Sequence, residues 1–150
     1  MNHKLMAFIV LFLLFCAHAK TGPHNVTAWV QQTLMDTLSA SYGDTPADID
    51  KVKRNYYPAA WWPMNHFFRD RLELIKAKKL ILHPKPLTHA RITASGPCGT
   101  SQCWRINQSY QIPELSIIID FSLLVVPAST MVKSKSPFLI QSLSLKINDY

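Results

Sequence analysis

At 150 residues with a formal charge of +7, the chain suits a single domain large enough to bury a real core, which excludes a multidomain machine. The positive residues are spread along the chain instead of clustering with glycines and aromatics, which argues against a nucleic-acid module. Four glycines in all leave little room for a phosphate-cradling loop, and no Walker or Gly-x-Ser-x-Gly motif occurs.

Met1 to Ala19 reads as an export leader. Lys4 and His3 form its basic start, Leu5 to Phe15 is an unbroken apolar run, and Ala17-His18-Ala19 is a small-residue cleavage signal, so the mature chain is expected to start at Lys20. The apolar run is too short to cross a bilayer, which needs about 20 residues. Phe15, where a small residue would precede a lipidated cysteine, argues against lipoprotein processing at Cys16. Domain organisation is thus a signal peptide over 1–19 and one domain over 20–150, periplasmic or secreted, with inner-membrane anchoring the lesser alternative.

Two helices open the mature chain. Asn25 is placed to cap a first helix reaching about Ser41, with Val26, Val30, Thr33, Leu34, Leu38 and Tyr42 as its apolar stripe and Gly43 as its stop. Thr45-Pro46-Ala47-Asp48 then supplies a cap, a proline at the first helical position and an acid at the third. The short helix that follows has Ile49, Val52 and Tyr56 on its apolar side. In the next stretch Trp61, Met64, Phe68, Leu72 and Ile75 fall on one face of a third helix, expected from Pro63 to Lys76 because a proline inside a helix removes a hydrogen bond and clashes. Pro58 to Trp62 is its lead-in turn.

Beyond that helix the period becomes alternating. Lys79 to Leu82, followed by Pro84 and Pro86, suits an edge strand, and Leu87 to Ala94 continues it or starts a new one. From Cys103 the alternation Trp104, Ile106, Gln108, Tyr110, Ile112 puts large side chains on one face. Leu115 to Val126 is an apolar strand with both faces covered at least in part, Pro127 to Pro137 is a polar loop with Lys133 and Lys135, and Phe138 to Ile147 is a last strand with Leu139, Leu143, Leu145 and Ile147 in phase. Helices followed by strands point to an α+β fold: N-terminal helices packed on a curved four-stranded antiparallel sheet.

Removal of the leader leaves two cysteines. Cys98 and Cys103 flank a Gly-containing turn in a compartment where disulfides persist, and a bridge across the hairpin is expected. A zinc half-site would lack a second ligand pair, and a redox pair would need a shorter spacing.

Tyr56-Tyr57, the tryptophans Trp61 and Trp62, a further aromatic, and then Ile75-Lys76-Ala77-Lys78-Lys79-Leu80 resemble the periplasmic domain of the IcmL/DotI family of type IVB (Dot/Icm) secretion systems, over roughly Val26 to Ile147. The chain differs from that family in lacking a full membrane span after the leader. The resemblance implies a cystatin-like, cone-type fold and a non-enzymatic periplasmic protein, acting as a scaffold or accessory through protein–protein contacts with secretion-system proteins or with itself. No cofactor, metal or catalytic residue is implied, and no nucleic acid.

Two alternatives stay open. In one, a cone-fold domain binds a small apolar ligand, or is an exported enzyme, using a pocket lined by Trp61, Phe68, Trp104, Tyr110 and Asp120; Asp120, alone inside an apolar strand, would be its general base. Against this stands the plainer reading that Trp61, Trp62, Phe67 and Phe68 are core and Asp120 points out of the sheet. In the other, Lys76, Lys78 and Lys79 form a partner or lipid surface with peripheral membrane association, against the plainer reading of a solvated rim. His24, His66, His83 and His89 show no metal-ligand spacing.

Overall fold

The computed structural model describes residues 23–128 and 135–150; the leader, Cys16 and Lys133 lie outside them. Three helices, α1 (Pro23–Leu38), α2 (Pro46–Lys53) and α3 (Pro58–Ala77), precede five strands: β1 (Lys85–Pro86), β2 (Arg91–Cys98), β3 (Ser101–Ile112), β4 (Ile117–Pro127) and β5 (Phe138–Asp149). A 3-10 turn, Pro113–Leu115, joins β3 to β4.

Helix α1 buries Val26, Val30, Leu34 and Leu38 completely, a spacing of four that keeps them on one face. Each such burial is worth about 1.5–3 kcal/mol. The helix begins at Pro23, whose fixed φ suits a first helical residue, so Asn25 lies inside the helix and is not its cap. It also ends before Ser41. The Tyr42 N–H donates to Leu80 O at 3.0 Å and the Leu82 N–H to Ala40 O at 2.9 Å, so the chain leaves the helix to pair Ser41 with Ile81. Tyr42 falls off the stripe and is 46% exposed.

Helix α2 starts as its sequence dictates. Thr45 accepts from the Asp48 N–H while the Asp48 carboxylate accepts from the Thr45 N–H at 2.9 Å, with Pro46 in the first turn. These hydrogen bonds from Thr45, side chain and then backbone, hold the Asp48 carboxyl below its usual range. The expected apolar side is only partly buried: Tyr56, just past the end of α2, belongs to the core and Val52 packs against that core half-buried, whereas Ile49 is largely exposed and no residue within α2 is fully buried.

Helix α3 runs from Pro58, so Pro63 lies within it and not at its start. Pro58 takes the first-turn position that Pro63 was expected to hold. The buried residues are Ala60, Trp61, Met64, Phe67 and Ile75. Phe67 replaces Phe68 in the core, because the face turned toward β5 passes through Phe67; Phe68 is half-buried and Leu72 is 41% exposed. The segment after α3 is a helix exit, not an edge strand. Lys79 has φ +49, and the Leu80 N–H bonds Ile75 O at 2.9 Å while the Lys79 N–H bonds Lys76 O at 3.2 Å. That pair of bonds around a left-handed residue is the Schellman arrangement.

The α+β expectation holds, with one strand more than expected. β1 and β2 both pair antiparallel with β3 along the same edge, Pro86 opposite Tyr110 and Arg91 opposite Asn107. The ladder lapses between β1 and β2, over residues 87–90. Across the gap, Leu87 N–H still donates to Ser109 O and Ser109 N–H to Thr88 Oγ1, both at 2.9 Å. His83 and Glu114 tie this edge to the 3-10 turn, ring Nδ1 to carboxylate at 2.8 Å. β3 pairs with β4 and β4 with β5 in long antiparallel ladders.

The helices cover one face. Trp104, Ile106, Tyr110 and Ile112 of β3, Ile119, Phe121, Leu123 and Val125 of β4, and Phe138, Ile140 and Leu143 of β5 meet them there. The register of β5 shifts between the partners of Leu124 and Val125. This bulge puts Phe138 and Ile140 in phase with Leu143, whereas Leu139 is buried on the opposite face with Cys103 and Val126. At the same point the edge of β5 is capped: Tyr57 N–H donates to Ile140 O and Ile140 N–H to Asn55 O, each at 2.9 Å. The segment leading into α3 therefore acts as a one-bridge parallel strand.

Candidate functional site: a cleft between the helices

Because α2 is short and buries no residue fully, it cannot cover the flank of α3 that faces it. A cleft of 1260 Å³ remains, walled by the second half of α1, by α2 and by α3, and closed at one end by Lys135, Ser136 and Pro137. Its apolar surface comes from Trp61, Phe68, Leu72 and Ile75 of α3, with Ile49 and Val52 opposite. Asp36, held by the Gln32 side-chain amide at 2.7 Å, Asp44 and Asp48 line the α1–α2 side together with Lys51 and Arg54, and Arg69 and Lys76 the α3 side.

The floor is polar at one point and fully satisfied there. Thr37 and Tyr56 join hydroxyls at 2.8 Å, and Thr37 donates to Thr33 O at 2.7 Å. Burial pushes the Tyr56 phenol well above its ordinary value, only partly offset by Thr37. A phenol held neutral in this way is a structural pin, not an acid or base near neutral pH.

The five residues expected to share a pocket do not converge. Trp61 and Phe68 line the cleft. Trp104 packs edge-on against Phe138 at 5.6 Å, and Tyr110, wholly buried, donates to Gln31 O at 3.1 Å; both are core. Asp120 lies on the far face of the sheet, since its neighbours Ile119 and Phe121 point to the helices. Its carboxylate accepts from the Ser109 hydroxyl at 2.5 Å and from the Asn148 amide at 3.0 Å. Both oxygens are thus engaged away from any cleft, which leaves no general base at the expected place.

The three lysines are exposed but divide by role. Lys76 lines the cleft, whereas Lys78 caps α3 and Lys79 is the left-handed residue after it. Cys98 and Cys103 are bridged, with Cα atoms 5.7 Å apart across the β2–β3 hairpin, and Gly99 takes the positive φ the turn requires.

The plainer reading placed Trp62 in the core with Trp61, Phe67 and Phe68, and the structure does not. Trp62 is 67% exposed, stacks on His66 with rings nearly parallel at 5.4 Å, and sits seven positions before Arg69, hence on the same flank of α3. The signal was present: α3 carries more large apolar residues than one buried face can absorb. Among the described residues no helix is long and apolar enough to cross a membrane, and no cluster of three or more metal-ligating side chains occurs.

No protein-family model matches the chain, and no curated protein matches it in sequence. Solved structures do match in fold. The periplasmic domain of DotI superposes with a TM-score of 0.70 at 15% identity, over 87% of this chain and 99% of that one. A periplasmic fragment of TraM gives 0.71 at 11% identity, over 84% and 98%. An IcmL-like type IV secretion system protein from Legionella pneumophila gives 0.66 at 9% identity, over 86% and 95%. The resemblance read from the aromatic and lysine-rich segment is borne out as a likeness of fold, and one of these neighbours is described as a type IV secretion system protein.

Proposed function

We propose that this chain is a non-enzymatic periplasmic protein that works as a scaffold or accessory subunit alongside a type IV secretion apparatus, through protein–protein contacts. One observation carries the reading. The described domain matches nearly the whole of the periplasmic domain of DotI and of the TraM fragment, so the likeness extends over a complete folding unit. The commitment of both Asp120 oxygens to Ser109 and Asn148 supports a non-catalytic role, because the one acid placed within an apolar strand is spent on structure.

The test is fractionation of producing cells, with N-terminal sequencing of the product and affinity purification after mild cross-linking. A mature chain beginning at Lys20, recovered from the periplasm together with other secretion-system proteins, is the expected result. Recovery as a partner-free monomer, or retention of Met1 in the membrane fraction, would overturn it.

A further inference from the structure

Resting on the scaffold reading and deepening it, we infer that the cleft between α1, α2 and α3 receives an amphipathic helix from a partner protein. Its size exceeds that of an ordinary small-molecule site. Small-ligand sites run to about 300–1,000 Å³, whereas this cleft measures 1260 Å³, on the order of the volume of a three-turn helix about 10–12 Å across. Its walls decide against strand addition, because that needs the free backbone groups of a sheet edge and these walls are helices.

Charge narrows the occupant further. Asp36, Asp44 and Asp48 stand on one wall and Arg69 and Lys76 on the other, with Lys51 and Arg54 toward the C-terminal end of α2. With Lys135, the cations of the lining outnumber its carboxylates five to three. A helix with an apolar stripe, a cation facing the aspartates and carboxylates facing Lys51, Arg54, Arg69 and Lys76 satisfies both walls at once. A second copy of this chain is a poor fit. The outer face of its sheet presents Arg105, Asn107, Ser144 and Lys146, which offer the cleft no apolar stripe. Exposed Trp62, on the Arg69 flank, is placed to contact the same helix, and tryptophan and arginine are the residues that dominate binding energy when buried by a partner.

The test places a photo-crosslinking amino acid at Leu72 or Ile49, both exposed, and at Lys146 as a control, in the producing cell. Cross-linked peptides are then sequenced. The inference stands if Leu72 and Ile49, and not Lys146, capture a segment of another protein with apolar residues at i, i+3 or i+4 and i+7, flanked by opposite charges. It is overturned if they capture a second copy, a lipid or a segment with strand periodicity, or if partners co-purify while these positions cross-link to nothing. In that last case the scaffold reading survives; if nothing co-purifies with the native chain, both fall. With the captured protein in hand, Trp62→Ala should weaken binding by about 30-fold and Leu72→Asp by at least about tenfold. Lys146→Glu should leave binding unchanged, and all three variants should keep the native circular dichroism spectrum. Equal affinity across the three would overturn the inference.

Discussion

The hydroxyl of Tyr56 lies 2.8 Å from that of Thr37, and only one assignment of protons satisfies both. Thr37 has a single proton, which goes to Thr33 O; Tyr56 must therefore donate to Thr37. The bond joins α1 to the lead-in of α3, beneath the cleft.

This direction makes two deletions unequal. Thr37→Val leaves the Tyr56 O–H without an acceptor in a site burial has sealed, and should cost about 2 kcal/mol. Tyr56→Phe leaves Thr37 still donating to Thr33 O and should cost about 1 kcal/mol. Urea titration of both variants checks the order; equal losses would mean that the donor is Thr37.

Stability should fall on the alkaline side. Burial pushes the phenols of Tyr56 and Tyr110 up from their ordinary value, which lies near pH 10 in an unfolded chain. Below about pH 10 both states keep the protons; above it the unfolded chain releases them and the folded one does not, so the unfolded state is favoured as pH rises. Melting temperatures taken across that range should drop less steeply in Tyr110→Phe and in Tyr56→Phe than in the native chain.

Lys79 separates a structural role from a binding one. A non-glycine residue at φ +49 is held in a conformation that glycine adopts without strain. Lys79→Gly should therefore stabilise the protein by about 0.5–1 kcal/mol in chemical denaturation. If the lysine also serves a partner surface, the same variant gains stability and loses binding.

Legible in the sequence is what is decided locally. The Thr45 and Asp48 cap, the alternation from Trp104 to Ile112 and the pairing of Cys98 with Cys103 each lie within a few residues, and each is found in place. Phe67 against Phe68 is not legible, because adjacent aromatics both fit the helical period and the packing of α3 over β5 makes the choice. Leu139 alternates with Leu143 in sequence yet lands on the opposite face, because a bulge opposite Val125 reverses the phase of β5. The cleft arises from something α2 fails to bury, and no spacing within one element announces that. The apolar neighbours of Asp120 suggest a pocket, although strand parity relative to Ile119 and Phe121 places it on the far face.

The hairpin bridge closes a very short loop, so its removal takes little from the constraint on the unfolded chain. By the loop-length relation Cys103→Ser should lower stability by roughly 2 kcal/mol or less. Thiol titration under denaturing, non-reducing conditions of a chain starting at Lys20 should find no free thiol, and the variant should show one.

Pro63 is the residue whose replacement should strengthen the fold most simply. It lies inside α3, where it supplies no N–H to Ala59 O and its ring crowds that carbonyl. An interior helical proline costs about 3 kcal/mol relative to alanine in exposed helices. Two effects reduce the expected gain: proline also restricts the unfolded chain, worth about 0.4–1 kcal/mol, and α3 is already anchored by Trp61 and Met64 on either side of it. Pro63→Ala should therefore stabilise by about 1–2 kcal/mol, measured by urea unfolding. The same variant leaves Trp61, Phe68 and Leu72 on the cleft flank, so partner binding should persist; a loss of binding with a gain in stability would show that the proline sets the course of α3 for the helix it receives.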